Sequence, residues 1–199
     1  YSPSYWGKKT MAPSALIFYL GINKKLKNVK HHCLFFDKDF NNHSKEIYNT
    51  PRWPSDPLFY ASFSSKTDPE TAPKNHENMV LLIPIAPGLE DNKLIRNKYF
   101  ELIISRFEKI TRQSIRNNII YKRSYAIRDF KKDYNSFKGN AYGLANTLFQ
   151  TAIFKPSIRN KKLKNLFFCG QLTVPGPGVP PAIISGGVVA KEVKKEIAS

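Results

Sequence analysis

The sequence has few of the residues from which catalytic and metal sites are usually built. Its two cysteines, Cys33 and Cys169, have no CxxC or paired spacing, and we interpret them as buried thiols in a reducing cytosol, not as a zinc site. The four histidines all lie in the first 76 residues without metal-ligand spacing, and no serine lies in a GxSxG elbow. No Asp or Glu occurs between Asp133 and Glu192. Acid–base pairs, metal cages and Ser–His–Asp sets are therefore not expected there.

Longer sequence signals are also missing. No apolar run approaches the ~18 residues that span a bilayer, and the first ten residues do not resemble a signal peptide. The ten glycines contain no GxGxxG spacing. Because the first methionine is Met11, we expect either that the start has been removed or that this is the tail of a longer protein.

The net charge of +17 raises the question of nucleic-acid binding. Lysine outnumbers arginine by 24 to 8, although arginine is the preferred reader of bases and phosphates. No zinc finger, RRM signature or helix-turn-helix pattern is present. We therefore predict no nucleic-acid partner, and attraction to an anionic membrane surface fits the charge at least as well.

The residues from 12 to 127 predict a mostly antiparallel sheet with one covering helix. The predicted strands are runs of β-branched and aromatic residues: Ser14 to Ile22, His32 to Phe36, Leu58 to Ser65, Met79 to Ala86 and Ile115 to Ile127. The predicted helix lies between the fourth and fifth of these runs. Its expected apolar face consists of Leu94, Ile95, Tyr99, Leu102, Ile103, Phe107 and Ile110. Such a sheet offers its other face to something apolar.

The C-terminal region predicts a strand, a turn and a helix. "NLFFCG" (Asn165 to Gly170) is typical of a buried strand. In the following "VPGPGVPP", two glycines permit close approach and two prolines suit a first helical turn. A helix start in a stretch without carboxylates favours an anion, such as a cofactor's phosphates. Gly186 and Gly187 inside the helix predict a close approach of helix to strand, because each costs ~1 kcal/mol against Ala. The alternative is an ordinary Pro/Gly-rich turn.

The segment from Phe130 to Lys164 differs in composition, since it carries aromatics among small and amide residues. It predicts either loop and helix packing or the wall of an elongated apolar pocket with a few orienting polar groups. If a reaction takes place near the turn, a cofactor must supply its chemistry.

The stretch "NAYGLANTLFQTAIFKPSIRNKKLKNLFFCGQLTVPGPGVPPAIISGGVVAKEV" closely resembles the C-terminal end of bacterial phytoene desaturases, which are FAD-dependent carotenoid desaturases of the amine-oxidase-like superfamily. The resemblance extends back through "APSALIFYLGINKKL", "SKTDPETAP" and "LIPIAPGLED". It implies an α+β / α/β fold with two parts. Residues 1–164 would form a sheet-based substrate domain with covering helices, which includes the aromatic segment 130–164. Residues 165–199 would form the last strand and helix of a Rossmann-like FAD domain, whose GxGxxG half is absent from this sequence.

The resemblance also implies site residues. The FAD-contacting residues would be Gly170, Gln171, Gly176, Pro177, Gly178, Val179 and Pro180. The substrate-contacting residues would be Phe137, Asn140, Tyr142, Phe149 and Gln150. No catalytic side chain and no metal is implied. At Gln171 relatives often carry a small residue, so the longer side chain here is expected to alter a flavin contact.

The implied reaction transfers hydride from phytoene, an apolar C40 polyene, to FAD and leads towards lycopene. Such a protein would be cytoplasmic and associated peripherally with the inner membrane. The loop "NKKLKNVK" (Asn23 to Lys30) would contact the membrane or be an ordinary solvated hairpin loop. Other carotenoid substrates, such as dehydrosqualene, and a non-catalytic isoprenoid or lipid carrier are the alternatives.

Overall fold

The computed structural model describes residues 1–198. The helices are α1 Pro3–Gly7, α2 Phe40–Tyr48, α3 Lys93–Thr111, α4 Ile127–Tyr134 and α5 Val179–Ala198. The strands are β1 Ser14–Ile22, β2 His32–Phe35, β3 Phe59–Ser62, β4 Glu77–Ile85 and β5 Ile119–Tyr125. The chain divides into two compact units. The sheet unit is Ser14–Gly139, and the C-terminal unit joins Tyr1–Pro13 to the residues from Asn140 on.

The sheet unit is built on a five-stranded sheet with the order β2-β3-β4-β1-β5. Every neighbouring pair is antiparallel, and β1 lies between β4 and β5. Alternate residues of β1 and β4 are buried, which is the pattern of a sheet with one face in a core. The mixed α and β content and the antiparallel sheet confirm the coarse fold prediction.

Helix α3 covers one face of this sheet. Its buried side chains are Tyr99, Phe100, Ile103, Ile104, Phe107 and Thr111. The predicted helix face was partly wrong, because Leu94 is 82% exposed and Ile110 is 45% exposed. The row through residues 99, 103 and 107 has apolar neighbours on both sides, so periodicity alone leaves the rotation of the helix open. The sheet decides it: Phe100 packs edge-on against Phe18 with ring centroids 5.3 Å apart.

The C-terminal unit contains two helices among irregular segments. Helix α5 begins at Val179, so that Pro180 and Pro181 lie in its first turn as expected. The predicted strand from Asn165 to Gly170 is wrong for the described residues. Only an isolated bridge between Arg159 and Phe167 occurs there. A continuous apolar run becomes a buried strand only between two neighbouring strands, and residues 1–198 supply none.

Two smaller predictions were also wrong. Cys33 is only partly buried and Cys169 is exposed, since Cys169 lies in the run that has no strand partners. Gly186 and Gly187 have open space where a Cβ would be, so no close approach within residues 1–198 explains them.

Within residues 1–198, no helix has the length and apolar character that crossing a bilayer requires.

Candidate cofactor and substrate site

The turn before helix α5 is shaped by glycines in backbone conformations that other residues rarely adopt. Gly176 has φ +140° and Gly178 has φ +112°. A Cβ on Gly176 would lie 3.0 Å from Lys155 Cε, and one on Gly178 would lie 3.3 Å from Pro181 Cδ. Gly178 also accepts the first helical hydrogen bond, from the Ala182 amide at 3.0 Å. The chain therefore reaches the start of α5 through a turn in which a Cβ at either position would make a tight contact and would strain the backbone.

Two hydroxyl side chains tie this turn to the helix, and the sequence reasoning missed both. The Gly170 amide donates to Ser185 Oγ at 2.6 Å, and Thr173 Oγ1 donates to the Gly170 carbonyl at 3.0 Å. The two hydroxyl oxygens are 3.1 Å apart, and both residues are buried. A serine among the apolar residues of a helix is the signal that could have identified this tie, because a buried hydroxyl normally has a hydrogen-bond partner.

The predicted cofactor residues follow one another along this turn, and they differ in exposure. Gly176 is buried, whereas Gly178, Val179 and Pro180 are exposed at the helix start. Gly170, Gln171 and Pro177 are intermediate. A Cβ on Gly143, which has φ +82°, would lie 3.3 Å from Gln171 Cγ, so this earlier loop also belongs to the surroundings of the turn.

Four predicted substrate residues belong to the C-terminal unit, and two of them have structural hydrogen bonds. Gln150 is 6% exposed, accepts from the Thr10 amide at 3.0 Å and donates to the Thr10 carbonyl at 2.8 Å. Asn140 is buried and its Oδ1 accepts from the Gly143 amide at 2.7 Å. Both side chains therefore fix the local backbone, and their contact with a substrate stays a prediction.

The aromatic candidates are more accessible within their own units. Tyr142 is 42% exposed and Phe149 is 72% exposed, with the Phe149 ring 5.9 Å from the ring of Phe154. Phe137 belongs to the sheet unit, in a short 3-10 turn after α4. Their role as pocket walls stays a prediction.

The face of the sheet opposite α3 carries a broad set of apolar and aromatic side chains. In the order β2, β3, β4, β1, β5, its first cross-strand row is Leu34, Tyr60, Leu82, Ile17 and Tyr125. The second row is His32, Ser62, Val80, Tyr19 and Arg123. Neither row contains a carboxylate. Helix α4 covers one corner, where Phe130 packs edge-on against Tyr125 with centroids 4.9 Å apart. We call these two rows the open face.

A cavity of about 410 Å³ lies at one end of the open face. Tyr19, Gly21, Val80 and Tyr121 contribute to its lining. A Cβ on Gly21 would lie 3.2 Å from Tyr121 Cβ, so the glycine lets the tyrosine lie close to β1. The sequence predicted that this face meets something apolar, because the strands are apolar on both sides, but it did not identify these residues.

The buried carboxylates of the sheet unit belong to ion pairs. Glu46 pairs with Arg52 at 2.8 Å, Glu77 with Lys66 at 2.8 Å and Asp91 with Arg96 at 2.6 Å. Burial alone raises the pKa of each carboxyl, but hydrogen bonds and the paired cations outweigh it, so that each pKa lies below its usual value. These acids stay ionised near neutral pH and are unsuited to general acid catalysis.

The buried histidine of this unit is also structural. His43 Nδ1 accepts from the Leu58 amide at 3.1 Å, and its Nε2 lies 2.8 Å from the Pro84 carbonyl, to which it donates. Burial lowers the pKa of His43, which favours this neutral form. Among residues 1–198, no three His, Cys, Asp or Glu side chains form a group that could hold a metal ion.

The chain belongs to the flavin containing amine oxidoreductase family, which it matches over residues 27–194. It is 40% identical over 198 residues to a carotenoid 3,4-desaturase of Haloarcula japonica, covering 100% of this chain and 40% of that protein. It is 31% identical to a 4,4'-diapophytoene desaturase (4,4'-diaponeurosporene-forming) of Staphylococcus haemolyticus. The aligned region covers 99% of this chain and 40% of that protein. It is 29% identical to a zeta-carotene-forming phytoene desaturase of Myxococcus xanthus. The aligned region covers 90% of this chain and 35% of that protein.

These similarities confirm the family and the flavin class of cofactor predicted from the sequence. The chain spans about two fifths of the length of these curated relatives, of which it covers 40%, 40% and 35%. The turn before α5 fits a flavin cofactor. Gly170, which has φ +107°, has open space at its Cβ position, and no carboxylate of residues 134–191 opposes an anion there.

Proposed function

We propose that the full-length protein is an FAD-dependent carotenoid desaturase that acts on phytoene and leads towards lycopene. The observation that carries this proposal is the open face, which is largely apolar and aromatic and has no carboxylate in its two rows. A polyene without polar groups is oriented by shape and apolar contact alone. A carrier would share this face but would not need a cradle for a cofactor.

The residues that would hold FAD are those of the turn, from Gly170 to Pro180, with Thr173 and Ser185 fixing its shape. When bound, the flavin would supply the redox chemistry by accepting hydride from the substrate. This chain's residues would exclude water from the polyene and keep one C–C bond at a fixed position. The apolar run from Asn165 to Gly170 would pair with strands of a Rossmann-like domain in the longer protein.

A second candidate reaction is desaturation at the 3,4 bond of a carotenoid. The 40% identity to the carotenoid 3,4-desaturase favours it, since this is higher than the 29% identity to the phytoene desaturase. Both reactions use the same flavin chemistry on the same class of substrate.

The proposal is tested by expressing the full-length protein in a bacterial host that accumulates phytoene and recording absorption spectra of extracted pigments. We expect colourless phytoene to be converted to coloured, more conjugated carotenes. If phytoene persists while a lycopene-type carotene gains double bonds, the second reaction is correct. If neither changes and the purified protein contains no flavin, the assignment as a desaturase is wrong.

The open face can be tested separately from the cofactor. Val80→Trp places a bulky ring on the open face and should lower conversion several-fold while leaving flavin content unchanged. The matched control is Leu94→Trp on the exposed side of α3, since Leu94 is 82% exposed. Equal conversion by both variants would exclude the open face from the substrate site.

We also propose peripheral association with an anionic membrane surface, which the net charge of +17 supports. The apolar residues of the loop from Asn23 to Lys30 are not available for insertion. Leu26 is 2% exposed within the core of the sheet unit, and Val29 packs against the same core. The loop therefore contributes its lysines, and the proposed association is electrostatic.

A further inference from the structure

Lys155 is a buried cation to which the proposed function gives no role. It is 7% exposed, and its Nζ donates to Asn146 Oδ1 at a distance of 3.5 Å. No ion pair of the described residues includes it. A buried charge with one long contact to a neutral amide is costly, because its lost hydration is barely replaced. Such a charge is expected where a ligand compensates for it.

The Lys155 ammonium lies beside the turn before α5. The Cβ position of Gly176 is 3.0 Å from Lys155 Cε and 3.3 Å from its Nζ. A Cβ at residue 176 would therefore require the lysine end to shift by a few tenths of an ångström. The absence of a Cβ at Gly176 thus serves two purposes, because it permits φ +140° and leaves space for the lysine end.

The cavity that Lys155 lines favours an anion. A cavity of about 850 Å³ in the C-terminal unit is lined by Lys155 and by three aromatic residues, Tyr1, Tyr5 and Phe168. The other charged residues of its lining are Arg159, Lys161 and Lys162, and none is acidic. Burial lowers the pKa of Lys155, and an adjacent anion would restore its charged form.

We propose, resting on the proposed function, that Lys155 stabilises the negative charge that the flavin ring carries in its reduced state. A dinucleotide's pyrophosphate is normally cradled by a GxGxxG turn, and none of the ten glycines provides that spacing. The ring is the other part of this cofactor that becomes anionic. The substrate loses one hydrogen with both bonding electrons to the flavin and a second hydrogen as a proton to solvent, so one negative charge remains on the ring. Lys155 keeps its own proton throughout.

The test is a spectroscopic redox titration of the flavin-loaded full-length protein and its variants. Lys155→Met should destabilise the reduced flavin relative to the oxidised form about tenfold, which lowers the two-electron midpoint potential by about 30 mV. Flavin content should be unchanged. Lys155→Arg keeps the charge and should stay near the wild-type potential. Lys98→Met is the control, because Lys98 is exposed on α3 and the substitution removes the same charge.

A second variant covers the case in which Lys155→Met does not fold. Asn146→Asp places a carboxylate beside the ammonium with little change in shape, and it should lower the potential in the same direction. An unchanged potential in both variants overturns the inference. A loss of flavin affinity at an unchanged potential also overturns it, and places the ammonium at a phosphate of the cofactor. A wild-type protein without flavin overturns the proposed function itself.

Discussion

Asp91 lies immediately before the N-cap of α3, and its buried carboxylate accepts hydrogen bonds from two different elements of the sheet unit. Its Oδ1 and Oδ2 accept from Arg96 Nε and Nη2, both at 2.6 Å, and Oδ2 also accepts from the Arg128 amide at 2.8 Å. Without the Asp91 charge, Arg96 keeps one carboxylate partner, Asp129 at 2.7 Å, so the expected loss lies at the lower end of that for a broken buried pair. We expect Asp91→Asn to lower the free energy of unfolding by about 3 kcal/mol in urea titrations.

The control is the exposed pair of Lys38 and Asp56, whose side chains are 42% and 58% exposed. Asp56→Asn should change the free energy of unfolding by less than about 1 kcal/mol, since water screens this pair. Equal losses in the two variants would show that burial does not distinguish the two pairs.

The low pKa of Asp91 adds a pH dependence to this prediction. A carboxyl whose pKa is lower in the folded state stabilises the fold above its unfolded pKa, which is about 3.9 for Asp. That contribution is lost as the pH falls through the lower, folded pKa. The stability difference between wild type and Asp91→Asn should therefore shrink below about pH 4 in thermal unfolding curves. A constant difference down to pH 2 would contradict this.

At the scale of single residues, the sequence indicated which amides are near the site but not what they do. The polar groups of Gln150 and Asn140 looked like orienting groups among aromatics. In the structure their hydrogen bonds go to the backbone at Thr10 and Gly143, because an irregular segment leaves backbone groups without sheet or helix partners. Thr10 lies 140 positions from Gln150, and no local pattern predicts such a partner.

At the scale of elements, the rotation of α3 gives a direct test of its packing. Ile104→Ala removes a side chain that is 0% exposed, and should cost about 2–5 kcal/mol of unfolding free energy. Leu94→Ala, on a side chain that is 82% exposed, should cost less than about 0.5 kcal/mol. Chemical denaturation of both variants measures the difference. A larger loss for Leu94→Ala would favour the apolar face that was expected from the sequence, which included Leu94.

The elements that the sequence predicted well are those whose partners are present within residues 1–198. The strands of the sheet unit pair with one another, and their β-branched runs and turn residues were sufficient to find them. The run from Asn165 to Gly170 has the composition of a central strand but no neighbours among residues 1–198. The helix that follows it was predictable from its own prolines and glycines, because capping and turn chemistry are local.

At the scale of the whole molecule, the net positive charge predicts that binding to an anionic membrane depends on the salt concentration. Electrostatic attraction between exposed cations and anionic lipid weakens as salt screens it. Flotation of the full-length protein with phosphatidylserine-containing vesicles should therefore fall several-fold between 50 mM and 500 mM salt, and vesicles of neutral lipid should recover little protein at either concentration. Recovery that does not depend on salt would leave apolar insertion as the sole mechanism.

The outer strand β5 has a consequence for the solubility of the protein. Among residues 1–198 the sheet order places it at one end, where unpaired backbone groups could join the strand of another molecule and start an aggregate. Its sequence, IIYKRSY, has two adjacent cations at its centre, Lys122 and Arg123. They project to opposite faces, and Lys122 Nζ rests 4.1 Å from the centroid of the Phe100 ring. Two molecules meeting edge to edge would bring like charges together on both faces, so this strand discourages its own polymerisation.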